Sequence, residues 1–185
     1  MAKEIERQFI VNNESPAWLA IKDTLPKKRL IQTTIHKGEG NKLRVRVTED
    51  MQTGKKDAEF AFKLSKKSKK TSPNVREEFE WEVPLRVALY IMIGHIEVKK
   101  LRYEYIHQDG KKWDIDEYEW ANAGIIVADI ELDTPDEKFS LPSFLWEETT
   151  KNKLITNNSF SNHPFLNWTE SQRREFEKLK KRTKS

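Results

Sequence analysis

The chain has 185 residues and a mass of 21.9 kDa, a length that predicts one domain with its own hydrophobic core. Charged residues make up 35% and aromatic residues 10% of the sequence, which excludes a disordered chain because such chains hold few aromatics. The formal net charge of +4 is the balance of 34 basic and 30 acidic residues, and this mixture does not by itself indicate a nucleic-acid-binding protein. The lack of cysteine excludes disulfides, thiolate metal ligands and cysteine nucleophiles.

The sequence also indicates in which cellular compartment we expect the protein. No run approaches the ~20 apolar residues that a membrane-spanning helix needs. The charged beginning, MAKEIERQF, is not followed by the apolar stretch of a secretory signal. We therefore expect a cytoplasmic protein that does not associate with membranes.

Alternation of apolar and polar residues with a period of two predicts β-strands along most of the chain. The predicted strands are 3–11, 43–48, 59–64, 76–83, 98–106, 112–118 and 125–132, with 30–36 as a weaker eighth. Glycine-containing segments at 37–41, 53–54 and 109–110 lie where hairpin turns are expected.

Three helices are predicted beside these strands. The first begins with Ser15 as its cap and Pro16 as its first residue. The second covers 84–93, and the third runs from Thr169 to about Arg182 with Thr169 and Gln172 as a capping box. We divide the chain into a mainly β (α+β) domain, 1–168, and a basic C-terminal helix, 169–185.

Each predicted strand has one apolar face and one face that is almost entirely ionisable. An antiparallel sheet with one solvated side would account for any single strand. Three features of the set favour a closed structure instead: the polar faces are nearly all charged, like charges repeat at i and i+2, and the bulky apolar faces need a cover. We therefore predict a closed β-barrel of seven or eight strands, with a charged lumen and an apolar outer face covered by flanking helices. Such a lumen must hold water, cations and an anion, because unpaired buried charges are too costly.

The residue types in this lumen indicate its chemistry. The carboxylate pairs Glu4/Glu6 and Asp129/Glu131 suit a hard cation, Mg²⁺ or Mn²⁺. Cations from several strands suit the oxygens of adjacent phosphates; they are Arg44, Arg46, Lys63, Arg76, Lys100 and Arg102. Acids and bases in one tunnel indicate metal-assisted phosphoryl transfer.

From residue 3 to about 164 the chain resembles the CYTH domains, also called triphosphate tunnel metalloenzymes. The resemblance rests on seven segments in order: E-I-E-R-Q at 4–8, L-R-V-R-V at 43–47, F-K-L at 62–64, R-E-E-F-E-W-E-V-P at 76–84, K-L-R-Y at 100–103, W-D-I-D at 113–116 and A-D-I-E-L at 128–132. Segments 141–150 and 162–164 resemble the family's closing segment. The resemblance implies a mainly β (α+β) fold, an eight-stranded antiparallel β-barrel tunnel with a charged lumen and flanking helices. It also implies hydrolysis of inorganic, nucleoside or thiamine triphosphate, or cyclisation of ATP.

Carried over residue by residue, the resemblance implies specific roles. Glu4, Glu6 and Glu131 would hold metal, with Asp129 as a shorter partner, and the six basic residues named above would bind the triphosphate. Glu78, Glu80 and Asp116 would orient these bases or ligate a second metal that positions the attacking water. Together with Lys100 they are the candidate catalytic residues.

The chain departs from the family pattern at position 8 and around residues 32–36. The lysine of the family's ExExK start is Gln8 here, and Arg7 cannot replace it because a period of two turns Arg7 outward. We expect a metal-dependent triphosphatase acting on a small triphosphate-containing molecule, as a monomer or homodimer, with nucleic acid not expected as a partner. A class IV-type adenylyl cyclase and a non-hydrolysing phosphate-binding module remain the alternatives.

Overall fold

The computed structural model describes residues 5–38, 41–64 and 77–180. The strands are β1 (Ile5–Val11), β2 (Lys27–Gly38), β3 (Asn41–Asp50), β4 (Lys56–Leu64), β5 (Glu77–Glu82), β6 (Glu97–Ile106), β7 (Lys112–Tyr118), β8 (Ile126–Leu132) and β9 (Leu145–Glu148). The helices are α1 (Pro16–Ile21), α2 (Leu85–Met92), α3 (Asn157–Asn162) and α4 (Glu170–Leu179). The alternating segments thus form strands, as their period of two predicts.

All nine strands form one antiparallel sheet in the order β5-β4-β3-β2-β6-β7-β8-β1-β9. The mainly β architecture with flanking helices is confirmed, but the prediction of a closed barrel of eight strands is wrong. Within the described residues β5 and β9 are the edges of the sheet, and no backbone pairing joins them. The physical reason is the unpredicted β9, a strand of four residues that occupies the free edge of β1 through Phe9 and Val11.

Two helices cover the apolar outer face of the sheet. Trp18 of α1 is buried against Tyr103, with ring centroids 5.4 Å apart, and α2 buries Ala88 and Met92 against β3 and β4. Pro16 begins α1 as predicted, but the side chain of Ser15 makes no capping hydrogen bond. In the described part of the chain, every helix is too short or too polar to cross a membrane.

The C-terminal segment packs against one end of the opposite, inner face. There the strands contribute Ile10, Val98, Tyr118 and Val127, and the segment contributes Ile155, Phe160, Trp168 and Phe176. The predicted capping box of Thr169 and Gln172 is present at the start of α4. As a result, the inner face is apolar at one end, and its ionisable residues occupy the remainder.

Candidate active site

Two strands, β1 and β8, bring the predicted metal-binding carboxylates together on the inner face. Glu6 on β1 lies directly opposite Glu131 on β8, and Asp129 lies opposite Gln8 one position further along that face. Directly opposite residues of an antiparallel pair share a face of the sheet. Glu6, Asp129 and Glu131 therefore form an acidic group on one half of the inner face.

Asp129 is the buried member of this acidic group. It is almost fully enclosed, while Glu6 and Glu131 are exposed, and its Oδ1 atom has no hydrogen-bond partner. Burial raises the pKa of Asp129 well above its ordinary value, and the nearby charges of Glu6 and Asp116 act in the same direction. A cation bound nearby would stabilise the ionised form of this buried carboxylate.

The acidic group fits a hard divalent cation by the chemistry of its donors. Carboxylate oxygens are the ligands that Mg²⁺ and Mn²⁺ prefer, and the buried Oδ1 of Asp129 lacks a partner. Among residues 5–38, 41–64 and 77–180, however, the structure assembles no three His, Asp or Glu side chains into a ready-made metal cluster. Glu4, the fourth predicted ligand, lies outside the described residues.

Asp116 joins the acidic half of the inner face to its basic half. It is fully buried and accepts a hydrogen bond from Lys100 Nζ through Oδ2. It also accepts from Arg102, with Nε–Oδ1 and Nη2–Oδ2 distances of 2.8 Å each. Arg102 Nη1 donates to Asp114 Oδ2 at 2.7 Å. These contacts arise because Arg102 and Asp116 are register partners on β6 and β7.

The ionisation of this cluster follows from its burial. Burial alone would raise the pKa of Asp116, but the positive charges of Arg102 and Lys100 outweigh it and lower the pKa to about 2. Burial lowers the pKa of Lys100 to about 8, although the Asp116 carboxylate acts in the opposite direction. At neutral pH the cluster therefore holds an ionised carboxylate between two cations.

Two more of the predicted phosphate-binding bases lie on β3, on the side of β6 away from β7. Arg46 on β3 pairs with Glu59 on β4 at 2.9 Å (Nη1–Oε1) and lies 3.7 Å from Glu80 on β5 (Nη2–Oε1). Arg44 is buried two residues earlier on β3, opposite Ala61. The structure thus places Arg44, Arg46 and Glu80 on the same face as Asp116.

Three further predicted residues are described only in part or not at all. Lys63 and Glu78 are register partners on β4 and β5, which places them on neighbouring strands beyond Arg44. Arg76 lies outside the described residues. The roles of all three remain predictions.

The structure separates Arg7 from Gln8, as the strand period predicts. Arg7 pairs with Glu148 of β9. Gln8 instead makes three hydrogen bonds with the chain after β9. Its backbone carbonyl accepts from Thr149 N at 2.7 Å, its backbone N–H donates to Thr150 Oγ1 at 3.0 Å, and its Oε1 accepts from Thr149 Oγ1 at 3.1 Å. Sequence spacing could not have revealed this contact, because the partners are more than 140 positions apart.

A surface hollow lies away from these residues. It encloses about 280 Å³ and is lined by residues that include Lys99, Glu119 and Trp120. None of the predicted site residues borders it. We place the candidate site on the charged inner face, because ionisable groups that can act on a phosphate are gathered there.

The fold and the site together define an antiparallel β protein whose inner face combines a carboxylate group with a basic group, an arrangement suited to phosphoryl transfer. No protein-family model matches the chain. A relative named inorganic triphosphatase, from Acetivibrio thermocellus, is 30% identical over 174 residues, which are 92% of this chain and 100% of the relative. The chain therefore belongs to the triphosphate tunnel metalloenzyme, or CYTH-domain, family.

Solved structures agree on the fold. The inorganic triphosphatase NE1496 has a TM-score of 0.57 at 20% identity, with 87% of this chain and 95% of that chain covered. PH1819 from Pyrococcus horikoshii OT3 has a TM-score of 0.51 at 19% identity, with 72% and 80% covered. At these identities the likeness concerns the fold.

Proposed function

We propose that this chain is a hydrolase that cleaves a phosphoanhydride bond of inorganic triphosphate with the help of a divalent cation. One observation carries the proposal: the inner face holds a carboxylate group and a basic group side by side, joined by Asp116. The full-length similarity to a protein named inorganic triphosphatase supports the choice of substrate.

The acidic group would hold the cation. We assign Glu6, Asp129 and Glu131 as ligands, together with Glu4, and Mg²⁺ or Mn²⁺ as the ion. The unpartnered, buried Oδ1 of Asp129 supports this assignment. When bound, the cation would offset the charge of the substrate's phosphates and of the transition state.

The basic group would bind the triphosphate. Arg102 is the best-positioned member, since its guanidinium has five N–H donors and three donate to Asp116 and Asp114. Two N–H groups remain for phosphate oxygens, and the side chain is 22% exposed. We assign Arg44, Arg46, Lys63, Arg76 and Lys100 to the same group.

The remaining predicted residues would orient the reacting groups. Asp116 fixes Arg102, and Glu80 lies near Arg46, so each carboxylate can hold a guanidinium in the geometry that phosphate requires. Glu78 belongs to the same acidic row of β5. We assign Glu78, Glu80, Asp116 and Lys100 to the positioning of the phosphate-binding bases and of the attacking water.

The test compares three readouts on the purified chain. Phosphate release from inorganic triphosphate should exceed release from ATP, require Mg²⁺ or Mn²⁺ and stop in a chelator. Cyclic AMP formed from ATP would indicate the cyclase alternative, and thermal stabilisation by triphosphate without turnover would indicate the binding module. The comparisons favour neither alternative.

A further inference from the structure

Tyr118 lies where the charged part of the inner face meets its apolar end. The side chain is buried, its hydroxyl donates to Asn157 Oδ1 of α3 at 2.8 Å, and its ring packs edge-on against Phe160 with centroids 4.5 Å apart. A buried tyrosine hydroxyl needs such a partner. The C-terminal segment therefore fixes both the position and the tilt of this ring.

Lys100 is the neighbour of Tyr118 on the charged side. The two residues are register partners on β6 and β7, and Lys100 Nζ lies over the ring, 5.6 Å from its centroid. That distance is within the range of cation–π attraction. The lysine is only 2% exposed and donates to Asp116. Its ammonium group is thus held between a carboxylate and an aromatic ring, beneath the accessible surface.

Asp116 links Lys100 to Arg102. The same Oδ2 atom accepts from both Lys100 and Arg102, so a displaced Lys100 would disturb the carboxylate that orients the guanidinium. Arg102 is the more exposed member of the cluster. The contacts form one continuous series: Asn157, Tyr118, Lys100, Asp116 and Arg102.

We propose that Tyr118 is a positioning residue for triphosphate binding: anchored by Asn157, its ring keeps Lys100 against Asp116, and Asp116 keeps the Arg102 fork aimed at the substrate. In this arrangement Lys100 supports Arg102 through the Asp116 carboxylate that both side chains contact. The inference rests on the proposed function, since that function assigns Arg102 to the substrate.

A double-mutant cycle tests this series of contacts. Tyr118→Leu removes the ring, and we expect KM for inorganic triphosphate to rise about 10-fold while kcat changes less than about 3-fold. Tyr118→Phe keeps the ring and should restore KM to within about 3-fold of wild type. In a Lys100→Met background, Tyr118→Leu should change KM by less than about 2-fold, because the group it acts on is gone.

Tyr105→Leu is the matched control. Tyr105 lies on the outer-face side of β6, where it packs against Phe144 with centroids 5.5 Å apart. Its replacement should lower the melting temperature but leave KM unchanged. If Tyr118→Leu behaves like this control, or if its effect on KM persists without Lys100, the positioning role is overturned.

A second readout does not depend on turnover. The Nε–H signal of Arg102 in a ¹H–¹⁵N spectrum, identified by its loss in Arg102→Lys, should shift in Tyr118→Leu and stay in place in Tyr105→Leu. If the wild-type chain releases no phosphate, the proposed function fails, and this signal still decides the inference. An unmoved signal in Tyr118→Leu would overturn it.

Discussion

Asp116→Asn is the substitution whose cost the structure allows us to work out most fully. Asparagine keeps the size of the side chain and one acceptor oxygen, but it removes the charge that holds Lys100 and Arg102. Because Asp116 is fully buried and Lys100 nearly so, water cannot replace the lost contacts. We therefore expect a loss of both stability and activity.

The magnitude follows from the pKa of Asp116. That pKa lies at about 2 in the folded protein, against an ordinary value of 3.8, and each pKa unit corresponds to about 1.4 kcal/mol. The ionised carboxylate therefore contributes about 2 kcal/mol to the free energy of unfolding at neutral pH. Breaking a buried ion pair costs about 3–5 kcal/mol, but Lys100, whose pKa is already lowered to about 8, can lose its proton and limit the cost. We expect a loss of about 3 kcal/mol, or about 10 °C in melting temperature.

The assay is urea unfolding followed by circular dichroism, between pH 3 and pH 7. Asp114→Asn is the matched control, since Asp114 shares the strand and the face but makes a single contact with Arg102 and is 22% exposed. We expect that control to cost about 1 kcal/mol or less. Phosphate release should fall much further in Asp116→Asn than in Asp114→Asn, because only the former removes the bidentate partner of Arg102.

The pH dependence provides the refutation. The folded pKa of Asp116 lies below the unfolded one, so its contribution is present above about pH 4 and is lost as the pH falls toward 2. The difference in stability between wild type and Asp116→Asn should therefore shrink at pH 3. A difference below about 1 kcal/mol at pH 7, or one that does not shrink with acid, would refute this electrostatic reasoning.

Three further predictions concern the acidic half of the site. Glu6→Gln and Glu131→Gln should each abolish metal-dependent phosphate release. The melting temperature should stay within about 3 °C of wild type, because both side chains are exposed. Retained turnover in either variant would contradict the assignment of these residues as metal ligands. Gln8→Lys should raise phosphate release or broaden the range of triphosphates hydrolysed, since it adds a cation opposite Asp129; unchanged turnover would place position 8 outside the site. The pKa of Asp129 is higher in the folded chain than in the unfolded chain. Above about pH 4 the folded chain therefore binds more protons than the unfolded chain. Without metal, the wild-type chain should therefore lose stability relative to Asp129→Asn as the pH rises from 5 to 7. Mg²⁺ or Mn²⁺ should raise the melting temperature of the wild type but not that of Asp129→Asn. Identical pH profiles of stability for the two proteins would contradict the raised pKa of Asp129.

The sequence predicted strands β1 to β8 because polar and apolar residues alternate along them, most weakly at 30–36 in β2. The same pattern could not predict β9, Leu145–Glu148, which is short and does not alternate. It therefore could not show that β9, rather than β5, pairs with β1. The helix α3 was also missed, since Asn157–Asn162 is mostly polar and small, and contacts from distant segments hold it in place: Phe160 is buried against the sheet, and Tyr118 donates to Asn157.

The candidate site was predictable as a set of residues but not as a set of contacts. Alternation assigns Lys100, Arg102 and Asp116 to one face, but only the register of β6 against β7 reveals that Asp116 binds both bases. Contacts between distant segments leave no local signal. The hydrogen bond from Thr149 to Gln8 and the bond from Tyr118 to Asn157 are of this kind.

Metal-dependent turnover of inorganic triphosphate by the wild-type chain tests the central claim most directly. The measurement is phosphate release with Mg²⁺, with Mn²⁺ and with a chelator, on a sample whose folding has been verified by circular dichroism. The account predicts release that depends on either cation and is absent in the chelator. Equal release in all three conditions would contradict the metal assignment, and no release in any of them from a folded sample would contradict the hydrolase.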